Sequence, residues 1–221
     1  MRLILLVIMR FLHLLRWQFK IHHQAQGLSF LLLMFQLMAV FMLPFIIGNA
    51  NIAIKGSQLF ILIIVLSSII IMPLYLYSDH HDGSLAQLLT IHSALEILLS
   101  KICALYFINI IITLIVLPIT TLLYDLDFAR MSCLLLSAIL TMVFAYVVAL
   151  TSAIVKLYFA NNNEYISLIM LPIMVPVLIC SSLAIETASW FYFILLLAIN
   201  LVVVPIIVTL NNYLLKNLYN I

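Results

Sequence analysis

Long, uninterrupted apolar runs dominate this sequence, and each is about as long as a helix that crosses a bilayer. The hydrocarbon core is about 30 Å thick, which takes about 20 helical residues. With 67% of residues hydrophobic and 7% charged, the chain is far more apolar than soluble domains, so lipid must be its solvent. Continuous runs, rather than short alternating stretches, favour helices over a β-barrel. We therefore predict an all-α, polytopic protein with six transmembrane helices, near 28–48, 58–78, 98–123, 131–155, 165–185 and 191–214.

The first 26 residues differ from these runs because cations interrupt them at helical spacing. Arg10, His13, Arg16, Trp17 and Lys20 recur every three or four residues, which puts them on one helical face. This pattern predicts an amphipathic helix at the membrane interface, with its cations towards anionic headgroups. The alternative is that it is merely the charged flank of the first span. We divide the chain into this helix, 1–26, and a six-span domain, 27–221.

Lysine and arginine predict the orientation of the chain. With the N-terminus inside, seven cations lie at the inner face and two at the outer face, which fits the positive-inside rule. Six spans return the C-terminus to the same side. We therefore expect both termini and the connection 79–97 in the cytoplasm, with Asp125, Asp127 and Glu186 outside. The inner cations are Arg2, Arg10, Arg16, Lys20, Lys101, Lys156 and Lys216, and the outer ones are Lys55 and Arg130.

The stretch 79–101 holds half of the histidines and three of the seven acids. Gly83 should end the preceding helix, and Ser84 could then cap a short helix over 85–90. Ser93, with Glu96 three residues on, predicts a capping box at the start of the next helix. A metal site built from His80, His81 and the nearby aspartates is the alternative, although adjacent histidines point to different sides of a helix.

Prolines mark the fifth predicted span. Pro172 and Pro176 are four residues apart, so they would interrupt the helix on one face. Ordinary packing distortion is one interpretation, and a bent helix that lines a pathway or moves during transport is the other. In other spans, Gln36, Asn109 and Asn200 are expected to be interhelical hydrogen-bond partners rather than substrate ligands.

The sequence has no G-x-x-x-x-G-K-[ST] pattern, so we expect no ATP-binding site in this chain and no enzymatic activity of its own. No acid or base lies at the centre of a predicted span, where ion-coupled transporters usually keep one. Any energy source should therefore reside in another subunit. Nothing in the sequence suggests a nucleic-acid partner.

Two motifs resemble a known family. An acid followed by Asp82-Gly83-Ser84-Leu85-x-Gln87-Leu88-Leu89, and then a helix with Lys101, is similar to the connection between spans two and three of ABC-2-type permeases. The stretch from Ser167 to Ala184, with its two prolines, is similar to the cytochrome c maturation protein B family, also called haem exporter protein B or CcmB. Ile91 and His92 depart from the family pattern, since relatives tend to have proline-rich sequence there.

The resemblance implies a permease subunit that works with a cytosolic ATPase, cytochrome c maturation protein A, and with membrane partners C and D. ATP, bound by the ATPase, would drive release of the haem-loaded chaperone E on the outer side. The complex would handle haem, and we expect no cofactor bound by this chain. The membrane would be the bacterial inner membrane, or the mitochondrial one. The residues expected to couple to the ATPase are Asp79, Asp82, Gly83, Ser84, Leu85, Gln87, Leu88 and Glu96.

Two other functions stay open at this point. The same architecture serves permeases for lipids, polysaccharides or drugs, and a non-transporting anchor subunit would show the same spans. The proline-containing stretch favours cytochrome c maturation over the first of these. Haem iron is normally held by His, Met, Cys or Tyr, and the predicted outer loops contain no histidine. We therefore expect the outer haem site to lie in another subunit.

Overall fold

The computed structural model describes residues 9, 11–20, 26–47, 52–159 and 169–219. Those residues are helical apart from short connections, and no strand occurs among them. Residues 11–20 form a helical segment, α1. The helices that follow are α2 (Gln26–Ile47), α3 (Ile52–His81), α4 (Ser84–Ile91), α5 (Ala94–Tyr124), α6 (Phe128–Tyr158), α7 (Leu171–Thr187) and α8 (Trp190–Tyr219).

Five helices in the described ranges are long and apolar enough to cross a membrane: α2, α3, α5, α6 and α8. They lie at five of the six predicted spans, so the prediction of an all-helical, multi-pass protein is confirmed. Four of them have 30 or 31 residues, or about 45 Å at 1.5 Å per residue. Their ends must therefore extend beyond a hydrocarbon core of about 30 Å.

The remaining predicted span, 165–185, coincides only in part with a described helix. Helix α7 has 17 residues, which is about 25 Å, and residues 160–168 lie outside the described ranges. Pro172 lies in the first turn of α7 and Pro176 lies inside it. Proline is tolerated in a first turn, where its missing N–H has no intrahelical acceptor. Pro172 therefore lies at the start of the described helix, just after a turn at Met170. That the two prolines interrupt one longer span stays a prediction, because residues 160–168 lie outside the described ranges.

Helix α6 is the centre of the bundle, because it packs against α3, α5, α7 and α8. Together with α3 it is the most buried of the five long helices, whereas α8 is the least buried. Most of α8 thus faces outward with apolar side chains such as Leu201 and Ile206. In a bilayer those side chains contact lipid, as expected for an outer helix of a membrane bundle.

Polar side chains join the spans at mid-bundle. The Gln36 side-chain amide on α2 donates to the Asn109 oxygen on α5 at 2.8 Å. The Asn200 amide on α8 donates to the Leu140 carbonyl on α6 at 3.1 Å. The prediction that these three residues form interhelical hydrogen bonds is confirmed. Such bonds fix helix positions where apolar packing alone gives little direction.

At the end of the bundle that contains the connection between α5 and α6, helices α3 and α5 pack closely against each other. Gly56 on α3 faces the buried ring of Tyr124 at the end of α5, and a Cβ on Gly56 would lie 3.0 Å from the Tyr124 Cδ2. The Tyr124 hydroxyl donates to the Val40 carbonyl on α2 at 3.2 Å. One tyrosine thus joins α2, α3 and α5, and the missing side chain of Gly56 makes room for it.

Candidate functional site

The connection between α3 and α5 contains a short helix, as the sequence predicted. Helix α3 ends at His81, and Gly83 adopts a left-handed conformation with φ of +73°. The Gly83 N–H donates to the His80 carbonyl at 3.2 Å, and its own carbonyl accepts from the Gln87 N–H at 3.2 Å. Glycine takes this conformation without the Cβ strain that other residues meet. The expected break at Gly83 is therefore confirmed.

Ser84 does not cap this helix, so that part of the prediction is wrong. The N-cap position belongs to Gly83, and no side chain caps the first turn. The Ser84 hydroxyl instead donates backwards to the Asp79 carbonyl at 3.1 Å, near the end of α3. The left-handed glycine brings Ser84 back over that end, so its hydroxyl satisfies a helix-terminal carbonyl. Ser84 thus ties α4 to α3.

The start of α5 has the predicted capping box. The Glu96 N–H donates to the Ser93 hydroxyl oxygen at 3.3 Å, and the Ser93 N–H donates to the Glu96 carboxylate at 3.1 Å. Both bonds satisfy backbone donors that have no partner within the helix. The His92 ring lies 3.7 Å from the same carboxylate. The turn between α4 and α5 is therefore well defined.

Asp79 has a different environment from the one expected of a surface acid. It is 6% exposed, and its carboxylate accepts a hydrogen bond from the ammonium group of Lys101 on α5, which has no exposed surface. The Lys101 ammonium also lies 4.5 Å from the centre of the Tyr75 ring, a favourable position over an aromatic face. Asp79 is thus paired inside the chain and does not present its charge to a partner protein.

The same cluster reaches the N-terminal helix. The Tyr75 hydroxyl donates to the side-chain oxygen of Gln18, and Gln18 and Leu14 are buried on α1. His13, Arg16, Trp17 and Lys20 are exposed, so the described part of α1 has a buried side and a polar side. The predicted interfacial helix, 1–26, lies outside the described residues at 1–8, 10 and 21–25. Its place at a membrane surface stays a prediction.

The eight residues predicted to couple to an ATPase divide by exposure. Asp82 and Gln87 are exposed; Gly83, Ser84, Leu88 and Glu96 are partly exposed; and Leu85 and Asp79 are buried. Leu85 packs α4 onto the bundle and leaves the opposite face outward. Thr90 and Ile91 lie on that outward side, and Ile91 is 75% exposed. Helical periodicity from Leu85 could have indicated both residues, which sequence reasoning did not select.

A groove of about 310 Å³ lies between α1 and α4. Its two walls come from residues 13–17 and 84–92, which are far apart in the sequence, so its existence could not be predicted from motif spacing. Apolar side chains and an aromatic ring form most of its lining, with a histidine on each side. Its lining residues are His13, Leu14, Trp17, Ser84, Gln87, Leu88, Ile91 and His92.

The histidines of 79–101 have separate partners. The His80 ring nitrogen lies 2.6 Å from the Tyr219 hydroxyl at the end of α8, and His81 lies 4.0 Å from Asp82. His92 is paired with Glu96. The described part of the chain holds no group of three His, Cys, Asp or Glu side chains that could bind a metal. The structure therefore assigns these histidines to local contacts with neighbouring side chains.

Comparisons with known proteins place this arrangement in a family. A family model described as "CcmB protein" matches residues 9–211. A protein of Rickettsia prowazekii (strain Madrid E), described as uncharacterized protein RP268, is 24% identical over 208 residues, which cover 94% of this chain and 97% of that protein. A second, uncharacterized protein RC0356 of Rickettsia conorii (strain ATCC VR-613 / Malish 7), is 31% identical over 144 residues, covering 65% of this chain and 67% of that protein.

The family match includes α1, the α3–α4–α5 connection and most of α8. Its members are membrane permease subunits in cytochrome c biogenesis and haem transport, and they are not themselves catalytic enzymes. The apolar helices of this chain agree with that role. The resemblance carried by residues 82–89 and 167–184 is confirmed, and the chain belongs to the CcmB family.

Proposed function

We propose that this chain is the permease subunit that couples ATP hydrolysis by a separate cytosolic subunit to haem delivery in cytochrome c maturation. The ATPase would be cytochrome c maturation protein A, and C and D would be the membrane partners. The product step would be release of the haem-loaded chaperone E on the outer side. The observation that carries the proposal is α4, a short helix with an outward face between two membrane-spanning helices.

The mechanics of the connection support α4 as the contact with the ATPase. It is joined to α3 through Gly83 and to α5 through the turn at His92 and Ser93. Helix α3 is among the most buried helices of the bundle. A displacement of α4 would therefore act on the centre of the bundle and on α5 together. A loop on one peripheral helix could not do this.

The exposed side chains define the face that would bind the ATPase. Of the eight residues predicted to couple to the ATPase, Asp82 and Gln87 are exposed on this face. Thr90 and Ile91 are exposed beside them. Ile91 would supply a desolvated apolar anchor, the kind of residue that dominates binding energies at protein interfaces. Asp82 would act mainly on encounter and specificity, and its effect would weaken with salt. Asp79 and Leu85 would act from inside, by holding α4 in place.

The proposal includes a topology with six membrane spans and with α4 on the cytoplasmic side. Helix α7 would be completed to a full span by residues before Leu171, which would bring both termini to the cytoplasm. The protein would then be a multi-pass protein of the bacterial inner membrane, or of the mitochondrial inner membrane. The predicted outer segments 49–57, 124–130 and 186–190, parts of which lie in α3, α5, α6, α7 and α8, contain no histidine. Haem would therefore be held by other subunits, and neither haem nor ATP would be bound by this chain.

A substitution of Ile91→Lys tests the proposed contact. It puts a charge into an apolar anchor, so we expect co-purified ATPase to fall roughly tenfold, which corresponds to about 1.4 kcal/mol. Mature cytochrome c should fall with it. The matched control is Phe159→Lys, an exposed apolar residue at the end of α6. It should leave both measurements unchanged in a strain that lacks its own B subunit.

The possible results separate the competing functions. Normal ATPase binding and normal cytochrome c in the Ile91→Lys strain would show that α4 is not the contact. Loss of ATPase with full cytochrome c maturation would point to an anchor that needs no coupling. A wild-type chain that binds the ATPase but never restores cytochrome c would favour a permease for another substrate.

A further inference from the structure

The charged pair between Asp79 and Lys101 links α3 to α5 where the connection through α4 begins and ends. The two residues are 22 positions apart. Between them lie the last two residues of α3, the turn at Gly83, helix α4, the turn into α5 and the first two turns of α5. Their side chains are buried, Lys101 completely. The pair thus fixes where α3 stops relative to where α5 begins. That spacing also fixes the position of α4.

Three further contacts surround the pair. Tyr75 lies one helical turn before Asp79, and its ring faces the Lys101 ammonium at 4.5 Å. The Tyr75 hydroxyl reaches Gln18 on α1. Ser84, the first residue of α4, donates to the Asp79 carbonyl at 3.1 Å. Four segments therefore meet at one buried charge pair, and one of them is the first turn of α4.

Stability is a poor explanation for such a pair. Two charges lose hydration when they are buried, and replacing both with neutral residues of similar size is often tolerated. Removing one partner is different, because it leaves a buried charge without compensation. What a buried pair does provide is a specific geometry, since each charge requires the other at hydrogen-bond distance. An isolated helix of eight residues has little stability of its own, so α4 depends on such external contacts.

We infer that Asp79 and Lys101 are positioning residues that hold α4 at a fixed orientation to α3 and α5, so that force on α4 reaches the spans. This inference rests on the proposed function, and it adds a device inside the chain that is separate from the face that binds the ATPase. Without the pair, α4 would still present Gln87, Thr90 and Ile91. A force on α4 would then shift it relative to α3 and α5 before the two spans moved.

The test uses three versions of the full chain in the assembled complex. The neutral pair is Asp79→Asn with Lys101→Gln, and the reversed pair is Asp79→Lys with Lys101→Asp. The matched control is Asp127→Asn with Arg130→Gln, which removes one acid and one base at the distant α5–α6 connection. The measurements are protein level in the membrane, co-purified ATPase, and mature cytochrome c formed per ATP hydrolysed.

We expect the neutral pair to insert and to keep the ATPase bound, but to form roughly three- to thirtyfold less cytochrome c per ATP. The reversed pair should recover most of the loss, and the control should behave like wild type. A merely structural role would lower the protein level and leave the yield per ATP unchanged. Full yield from the neutral pair would overturn the inference. So would failure of both paired variants to insert, because the pair would then maintain the fold.

A second measurement does not depend on the proposed function. A spin label is attached to a cysteine at the exposed position of Ala86 on α4, in a purified chain whose three cysteines are replaced by alanine. The neutral pair should make the label more mobile, and the reversed pair should restrain it again. If wild type fails to support cytochrome c maturation, the proposed function fails, while the label still tests the pair. An unchanged label in the neutral pair would refute the positioning role.

Discussion

Asp79 and Asp82 are three residues apart, yet their environments are opposite. Asp79 lies in the last turn of α3 and is buried against Lys101, whereas Asp82 follows the end of the helix and is exposed. The conformation of Gly83 sends the chain away from α3 just after Asp82. Two similar acids therefore have different roles: one belongs to the internal packing of the connection and the other to its surface.

Gly83 gives a prediction at this scale. No atom beyond the adjacent residues lies within 4 Å of a Cβ built on Gly83, so a substitution there should act through the backbone alone. Gly83→Val must either adopt φ of +73° or move α4, at a cost of about 1–2 kcal/mol. We expect reduced ATPase co-purification and less mature cytochrome c.

Gly83→Asn is the matched control, because asparagine tolerates the left-handed region better than other residues with a Cβ. It should retain most of the ATPase. Equal behaviour of the valine and asparagine variants would show that the left-handed conformation is not required. The comparison separates backbone conformation from side-chain size, since neither side chain meets a neighbour.

At the scale of helices, local signals predicted most of what is observed. The five long helices follow from apolar runs. The capping box follows from Ser93 and Glu96, because a spacing of three residues at a helix start lets each side chain reach the other's backbone N–H. The pairing of Asp79 with Lys101 could not be predicted in this way. It joins two helices across 22 residues, and a sequence does not say which side of α3 is buried when almost every residue is apolar. The groove between α1 and α4 was missed for the same reason.

Close packing at Gly56 gives a prediction about the assembly of helices. Gly56→Ala places a Cβ 3.0 Å from the Tyr124 ring, closer than carbon atoms normally approach. Because Tyr124 also bonds Val40, its ring cannot move without loosening α2. We expect a lower melting temperature in detergent, with a destabilisation of about 1–3 kcal/mol.

Gly27→Ala is the matched control, since no described atom outside its own helix backbone and adjacent residues lies within 4 Å of a Cβ there. Alanine is the better helix former by about 1 kcal/mol, so this variant should be as stable as wild type or more so. A Gly56→Ala protein with an unchanged melting temperature would show that α3 and α5 can separate at this point without loss.

At the scale of the whole molecule, the two ends of the bundle differ in the polar contacts that hold them. The α4 end holds the buried charge pair, the bond between His80 and Tyr219, and the groove with α1. The α5–α6 end is held by Tyr124 and Gly56, with short connections. The proposed function assigns the first end to the cytoplasm.

Single-cysteine labelling tests that orientation. In a cysteine-free background, a membrane-impermeant reagent applied from outside should label position 127 and should not label position 82. Both aspartates are exposed in the structure, so differences in burial would not explain the result. After the membrane is permeabilised, both positions should react. Labelling of position 82 from outside would invert the orientation and remove α4 from the reach of a cytosolic ATPase.

The buried charge pair also constrains how the protein is made. Synthesis runs from the N-terminus, so α3 is complete before Lys101 exists, and Asp79 lacks its partner cation at that stage. Asp79 lies near the end of a 30-residue helix, which is about 45 Å long and extends past the hydrocarbon core. Its charge can therefore stay hydrated at the water boundary until α5 has been inserted. The position of the pair at the ends of the two helices allows each to enter the bilayer alone, and the pair becomes buried only after both are in place.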